Sequence, residues 1–440
     1  MGDTAVKKTI ATTNESNVIK SEEYYSTNPI PYKDRKSWLG VAAIFFGMTA
    51  AISSFATGGG LIVNLTLTQA LLSLGIATAI LLCLFYIPMG VIGAKEGLNT
   101  YMVGEAAFGK KGTNIATGMV IGALPAFGWY GVQVSIAAEA LNQAFGGHTN
   151  LVPLFMIIIG LLFVVPALFG ITSMAWLDYV SIPAILGITI LGVIKVFNTS
   201  DLSHVLSYQP ATTESLFWGI NIVIGSMVAG ASFAPDYTRW THPKVSSVSL
   251  SGIVGIVAPL IILTLIGAMM ALTATTLGVD EPWNISQVLS VLGLPAIALI
   301  FVILLQWTTN IVAAYSAGLA LTKAFGWSRF WWTLIVAIVG TALSIFGIVK
   351  FFLLFLGLLA VFVSPVAGVL ISEYFFVSKG QFNRKEGFYW PGIITWLIGG
   401  FVAYLIPYFI PAVNGFIISF VLYTVYHKFI KKTPNEKVAE

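Results

Sequence analysis

Residues 294–322 read LPAIALIFVILLQWTTNIVAAYSAGLALT, an apolar stretch that contains no charged side chain. About 20 apolar residues are enough to cross a bilayer as a helix. The polar group at its centre, Gln306-Trp307-Thr308-Thr309-Asn310, would then lie near the membrane midplane. Polar side chains at that depth are costly unless they face a bundle interior, a cavity or a ligand. The stretch therefore predicts a transmembrane helix that lines a path for a solute or an ion.

The composition of the whole chain agrees with a membrane protein. Of its 440 residues, 57% are hydrophobic and only 9% are charged, and the mean hydropathy is +0.89. Such values exclude an ordinary water-soluble domain. The single cysteine, Cys83, lies in an apolar run, so neither disulfides nor a cysteine-based metal site are expected. The net charge of +4 relates to membrane topology, and we expect no nucleic-acid partner. The fold class is therefore an all-α polytopic membrane protein embedded in the lipid bilayer.

Windows of about 20 apolar residues predict twelve transmembrane spans, which we number 1 to 12. Their ranges are 38–66, 68–94, 113–142, 151–171, 174–197, 215–234, 247–272, 294–322, 329–349, 351–375, 389–406 and 410–427.

The distribution of basic residues predicts the orientation of these spans. With the N-terminus in the cytoplasm, 20 of the 22 basic residues lie on the cytoplasmic side, all except Lys195 and Lys350. This is the bias that the positive-inside rule predicts. We therefore expect a multi-pass protein of the cell (plasma or inner) membrane with both termini cytoplasmic. Residues 1–37 are expected to be a disordered tail, and 428–440 a second polar tail.

Two spans contain glycine-rich weak points, Ser53–Gly60 in span 1 and Gly225–Ser232 in span 6. Glycine costs about 1 kcal/mol per helix position relative to alanine, so both helices are expected to break there. Five spans separate the two positions, which predicts an inverted repeat of 38–197 and 215–375 with a broken helix in each half. Spans 11 and 12, residues 389–427, would be an addition. Alternatively, these glycines merely permit close helix packing.

The third span carries a candidate binding pair in the sequence 128–133, GWYGVQ. Trp129 and Gln133 are four residues apart and share a helix face. An indole stacks on a flat ring, and an amide offers both a donor and an acceptor, so the pair suits a planar heterocycle. The alternative is that Trp129 packs in the core while Gln133 bonds a neighbouring helix.

A group of neutral oxygens predicts a small-cation site. The hydroxyls of Thr308 and Thr309 lie one turn beyond the carbonyl of Leu305. Together with carbonyls freed near Gly47 and Ala50, where span 1 unwinds, they could hold sodium without a carboxylate. Adjacent threonines in a membrane helix also often bond back to their own carbonyls.

Coupling to protons instead would need a titratable group on the transport path. Glu139 lies toward the outer end of span 3, whereas Asp178, Asp236 and Glu373 lie at cytoplasmic helix ends, where helix capping or pairing with Arg239 explains them. None falls beside the level of Trp129 and Thr309, so sodium is favoured.

Four motifs follow one another along the chain between about Pro29 and Lys428. They are GWYG at 128–131, APDYTR at 234–239, WTTN at 307–310 with YSAG at 315–318, and ISEY at 371–374. In this order they resemble the nucleobase:cation symporter-1 family, in particular its bacterial cytosine and purine-cytosine permeases. The resemblance implies a leucine-transporter-type fold of a 5+5 inverted repeat plus two extra helices.

The resemblance also implies site residues. It implies sodium held by the backbone oxygens of Gly47, Ala50 and Leu305 and by the hydroxyls of Thr308 and Thr309. The implied substrate contacts are Trp129, Ser226, Met227 and Asn310, with Gln133 at the position of a substrate-binding glutamine in the related hydantoin permease. Two positions depart from the family pattern: Ala126 replaces a glutamine, and Met227 replaces an aromatic residue.

The function expected from these features is sodium-coupled symport that imports a planar nucleobase, cytosine or a purine, by alternating access, in a protein that works as a monomer. The alternatives within carriers are proton coupling, a hydantoin- or allantoin-type permease, and an amino-acid symporter of the same fold. A channel is less suited to broken helices that meet at a midplane site. We expect no enzyme, because the sequence contains no His-Glu-x-x-His motif and no paired intramembrane aspartates.

Overall fold

The computed structural model describes residues 28–430 apart from 148, 170, 200, 201, 294, 295 and 407; the side chains of 149, 171–182, 202, 204, 296–298 and 430 also fall outside the description. The first 27 residues of the predicted N-terminal tail, residues 431–440 of the C-terminal tail and the side chain of Asp178 therefore lie outside the described part. Within that part all regular structure is helical, and the only β-type pairing is an isolated bridge between Lys36 and Thr241.

Each of the twelve predicted spans contains a helix, and we keep the span numbers for these helices. Span 1 comprises two helices, Trp38–Thr49 and Ile52–Ile62. The helices of spans 2 to 7 are Leu67–Glu96, Leu124–Ala144, Val152–Phe169, Ile171–Thr199, Leu216–Ser232 and Val245–Thr275. Those of spans 8 to 12 are Ala296–Phe325, Arg329–Ile345, Ile348–Val377, Trp390–Leu405 and Pro411–Val425. Among the described residues, seven helices are long and apolar enough to cross a membrane, and the bent pair of span 1 would be an eighth.

Span 1 is broken, but not at its glycines. The first helix ends at Thr49. Ala50 and Ala51 do not have helical backbone angles, and the second helix starts at Ile52, bent by 54° from the first. The expected break within Ser53–Gly60 is wrong, because this segment is helical and packs closely. A Cβ at Gly58 would lie 2.0 Å from the Thr264 carbonyl oxygen of span 7. These glycines therefore permit close helix packing, as in the alternative interpretation.

Span 6, like span 1, is not broken at its glycines. Its helix runs without interruption from Leu216 to Ser232, so the break expected within Gly225–Ser232 is wrong. A Cβ at Gly225 would lie 1.8 Å from the Leu356 carbonyl oxygen of span 10. Phe233 caps this helix, and a short helix, Pro235–Thr238, follows. Glycine is again required for contact between two backbones.

The end of the bundle that carries most of the basic residues is covered by ordered segments. Part of the tail expected to be disordered is ordered from Asn28 onwards: Ile30 is buried, and the guanidinium of Arg35 donates to the carbonyls of Ile30 and Ala94. A helix, Thr100–Thr113, precedes span 3, and a π-helical segment, Asn114–Ala123, joins the two. These segments close the bundle at this end.

Candidate functional site

Spans 3 and 8 pack against each other along their length, and their register places Trp129 and Asn310 at one level. A Cβ at Gly122 would lie 3.4 Å from the Cβ of Ala320. Further along, the side-chain amide of Asn310 donates to the carbonyl of Tyr130 over 3.4 Å. Since the number rises on one helix as it falls on the other, the helices are antiparallel. Trp129 therefore lies at the level of Asn310.

The indole of Trp129 is half-buried and packs on aromatic rings of span 10. It makes T-shaped contacts with Phe352 and Phe355, at centroid distances of 6.0 and 5.5 Å. Gly128 permits this approach, because a Cβ there would lie 2.2 Å from the Phe355 ring. Neither phenylalanine can be recognised as a site residue from the sequence, because the run FFLLF at 351–355 resembles any other apolar segment.

The two predicted substrate-binding amides are buried, and each has an unpaired oxygen. Gln133 is 2% exposed, and its Oε1 has no hydrogen-bond partner among the described residues. Asn310 is fully buried; its Nδ2 bonds Tyr130, whereas its Oδ1 has no partner in the same part of the chain. Since a buried polar atom without a partner costs about 1–3 kcal/mol, both oxygens are candidates to accept a hydrogen bond from a ligand.

Three neutral oxygens of span 8 lie close together. The hydroxyls of Thr308 and Thr309 both donate to the Leu305 carbonyl, over 2.8 and 2.9 Å. This is also the back-bonding that isolated threonines would show. The geometry places three oxygens within one helical turn, and leaves the lone pairs of both hydroxyls for another partner.

The break in span 1 removes two helical hydrogen bonds from the predicted cation ligands. In an unbroken helix the N–H of Ala51 would donate to Gly47 and that of Ser54 to Ala50. Instead, Ala51 donates to Thr49 over 2.8 Å, and Ser54 donates to Ala51 over 3.0 Å. The carbonyls of Gly47 and Ala50 thus lose the donors that a continuous helix would supply. The second half of span 1 contacts span 8.

The predicted contacts on span 6 lie beside span 1. The hydroxyl of Ser226 bonds back to the Val223 carbonyl over 2.8 Å. The methyl group of Met227 lies over Gly230, and so does that of Met48, since a Cβ at Gly230 would lie 3.0 and 3.4 Å from them. Met227 therefore lies next to the break in span 1. The aromatic contacts of Trp129 come from span 10, not from this side chain.

The described residues contain no cluster of three or more histidine, cysteine or acidic side chains that could hold a metal ion. Glu139 accepts a hydrogen bond from Gln143 over 2.7 Å. It lies ten residues beyond Trp129 on the same helix, a distance of about 15 Å. The group formed by Trp129, Gln133, Thr308, Thr309 and Asn310 is therefore neutral.

Comparisons with known proteins indicate which kind of protein this site belongs to. Residues 29–393 match a family model described as permeases for cytosine/purines, uracil, thiamine and allantoin. The cytosine permease of Escherichia coli (strain K12) is 27% identical over 412 residues, which cover 92% of this chain and 95% of that protein.

Two solved structures share the fold. One is a nucleobase-cation-symport-1 family transporter in a closed conformation with bromovinylhydantoin bound, at a TM-score of 0.77 and 22% identity, covering 92% of this chain and 95% of that one. The other is a Na⁺-coupled sialic acid symporter, at a TM-score of 0.60 and 15% identity, covering 90% of each chain. These similarities confirm the predicted all-α transporter fold of the leucine-transporter type.

Proposed function

Because the chain belongs to the family of permeases for cytosine and purines, uracil, thiamine and allantoin, and is thus a transporter and not an enzyme, we propose that it is a sodium-coupled symporter that imports a planar nucleobase. The proposed substrate is cytosine or a purine. The protein would act as a monomer in the cell membrane with both termini in the cytoplasm.

The observation that carries sodium coupling is the break in span 1 at Ala50, since the second half of span 1 contacts span 8, which carries the threonine pair. The freed carbonyls of Gly47 and Ala50, together with the oxygens of Leu305, Thr308 and Thr309, supply five neutral oxygen ligands. Hard cations prefer oxygen ligands, and broken membrane helices commonly present such carbonyls to Na⁺. Sodium is a co-transported substrate here, and the Na⁺-coupled solved relative supports this choice.

The substrate would bind where span 8 faces span 3. A flat ring can stack on the indole of Trp129, while the amides of Gln133 and Asn310 bond its edge. Ser226 and Met227 would line the wall formed by span 6, where a thioether can contact a ring.

Alternating access would couple the two sites. Sodium would join the broken part of span 1 to span 8 and so favour the conformation that binds the ring. One Na⁺ moving down a potential of 100 mV releases about 2.3 kcal/mol, and a tenfold gradient adds about 1.4 kcal/mol. This supports an accumulation of several hundredfold, and its sign favours import.

Three alternatives stay within the same fold. A hydantoin- or allantoin-type permease would keep the aromatic stacking and change only the ring, and the solved relative with bromovinylhydantoin bound makes it a specific candidate. Proton coupling would require Glu139 or Asp178, and an amino-acid symporter would show competition by leucine or alanine.

The test is uptake of labelled cytosine, hypoxanthine and hydantoin into proteoliposomes, with an inward sodium gradient or with choline. We expect sodium-dependent uptake of one ring, lost in Thr309→Ala. Thr322→Ala is the matched control, because Thr322 lies on the same helix and makes the same back-bond, to Gly318 over 2.8 Å. Uptake that ignores sodium and follows a pH step would contradict sodium coupling.

A further inference from the structure

Gln306 is a buried amide that the proposed site does not yet use. Its side chain is 0% exposed, and neither Nε2 nor Oε1 has a hydrogen-bond partner among the described residues. A primary amide carries two donors and an acceptor oxygen with two lone pairs. Leaving all of them unpaired in a membrane protein interior is costly. A glutamine is therefore expected here only if something else completes its hydrogen bonds.

On span 8, Gln306 lies between the residues of the proposed sodium site and those of the proposed substrate site. Consecutive residues are about 100° apart around a helix, and residues four apart differ by about 40°. Gln306 thus nearly shares a face with Asn310, which bonds span 3. It also directly follows Leu305, whose carbonyl accepts from both threonines. Its amide therefore lies between the cation ligands and the surface that meets span 3.

The register of the two helices brings Gln306 to the level of Gln133. Since Asn310 pairs with Tyr130, the antiparallel packing matches Gln306, four residues away, with Val134. Gln133 is the adjacent residue, and its Oε1 is unpaired as well. Along the helix axes, the two glutamines on these facing helices therefore differ in level by less than about one helical turn, or 5.4 Å, and Asn310, whose Oδ1 is also unpaired, lies about one turn further along span 8.

We propose that Gln306 determines substrate specificity by binding the edge of the heterocycle through both polar atoms of its amide. This inference rests on the proposed function. Two-point pairing requires a ring that presents an N–H donor beside a carbonyl or ring-nitrogen acceptor, as nucleobase edges do. The oxygens of Gln133 and Asn310 add two acceptors, so the preferred ring carries further N–H donors, such as an exocyclic amino group.

The test compares Gln306→Met with the wild type in sodium-driven uptake. Methionine keeps the length and flexibility of the side chain but removes its hydrogen bonds. We expect the KM for the ring to rise about 10- to 100-fold, as for the loss of a two-point hydrogen-bonded contact. The sodium concentration for half-maximal uptake should not change. Gln287→Met, in the short helix Ile285–Val291, is the control and should behave as the wild type.

Two further readouts separate recognition from folding. Without substrate, the thermal stability of Gln306→Met should equal or exceed that of the wild type, because an unpaired buried amide has been removed. The stabilisation by added substrate should fall. In competition assays with singly N-methylated rings, the wild type should reject the derivative that blocks the paired N–H. Gln306→Met should bind that derivative as well as it binds the parent ring.

An unchanged KM in Gln306→Met would overturn the inference, and so would a shift in sodium dependence with the KM unchanged, which would make the amide a cation ligand. Either result would leave the proposed function intact, since it would be obtained with an active transporter. Absence of nucleobase uptake by the wild type would instead refute the proposed function, and this inference with it.

Discussion

A deeply buried ion pair among the described residues joins Lys385 to Glu373. The side chain of Glu373 is 3% exposed, and its carboxylate accepts a hydrogen bond from Lys385 Nζ over 2.7 Å. The hydroxyls of Tyr423 and Ser378 also donate to it, over 2.5 and 2.6 Å. The ammonium of Lys385 further lies 4.1 Å from the centroid of the Tyr389 ring. These contacts fasten span 12 and the segment before span 11 to the end of span 10.

Removing the lysine should therefore destabilise the protein strongly. Lys385→Met leaves a buried carboxylate without a counter-charge, a change that costs about 3–5 kcal/mol. In a Glu373→Gln background the same substitution should cost much less, since no charge remains to be compensated. The free energies of unfolding of the four proteins in detergent, taken as a double-mutant cycle, measure the difference.

The control for this cycle is an exposed ion pair of the same residue types, Lys110 with Glu386 at 2.6 Å, whose side chains are 47% and 78% exposed. Exposed pairs contribute about 0–1 kcal/mol, so Lys110→Met should have little effect. Equal costs of Lys385→Met with and without Glu373 would contradict the buried-pair interpretation.

Helix packing depends on glycines that bring two backbones together. In span 6, Gly225 lies against the carbonyl of Leu356, which belongs to the same segment of span 10 as the phenylalanines that contact Trp129. The contact that holds spans 6 and 10 together is thus adjacent to the aromatic part of the proposed substrate site. The same turn of span 10 therefore contacts both Gly225 of span 6 and Trp129 of span 3.

We expect Gly225→Ala to destabilise the folded protein by at least about 1–3 kcal/mol, the usual cost of overpacking, because the neighbouring group is backbone and cannot rotate away. Gly75→Ala in span 2 is the control: nothing lies within 4 Å of a Cβ at Gly75, so alanine should be neutral or stabilising by up to about 1 kcal/mol. Thermal unfolding in detergent distinguishes the two. Equal stabilities would show that span 10 moves freely.

Each segment that the sequence predicts as a span contains a helix, but the breaks in spans 1 and 6 are not where the sequence predicts them. Hydrophobic length alone locates twelve helical segments, because a bilayer demands that length. Glycine content predicts the wrong positions for the breaks in spans 1 and 6, because glycines occur both where a helix is weak and where two helices pack closely. Whether a helix breaks at Ala50 depends on what packs against it, and that is tertiary information. In the same way, the residue types of Trp129 and Thr309 make them candidates from the sequence alone, whereas the unpaired state of Gln306 depends on what packs around it.

At the scale of the whole molecule, contacts join the segments that the sequence assigns to the cytoplasm. The segment before span 1 pairs with that after span 6 at Lys36 and Thr241. The segment between spans 2 and 3 pairs with that between spans 10 and 11, through Glu105 with Arg384 at 2.9 Å. Segments at the same end of a bundle must be separated by even numbers of crossings, and these are. These contacts are consistent with the predicted numbering of the spans.

The orientation itself can be tested because the chain has a single cysteine, Cys83. In a Cys83→Ser background, single cysteines would replace Thr213 and Asp280 at one end, and Ser246 and Asn383 at the other; all four positions are exposed. The positive-inside bias predicts that a membrane-impermeant maleimide labels the first two in intact cells. The other two should react only after permeabilisation. The opposite pattern would invert the topology, place both termini outside and turn the proposed import into export for the same sodium gradient.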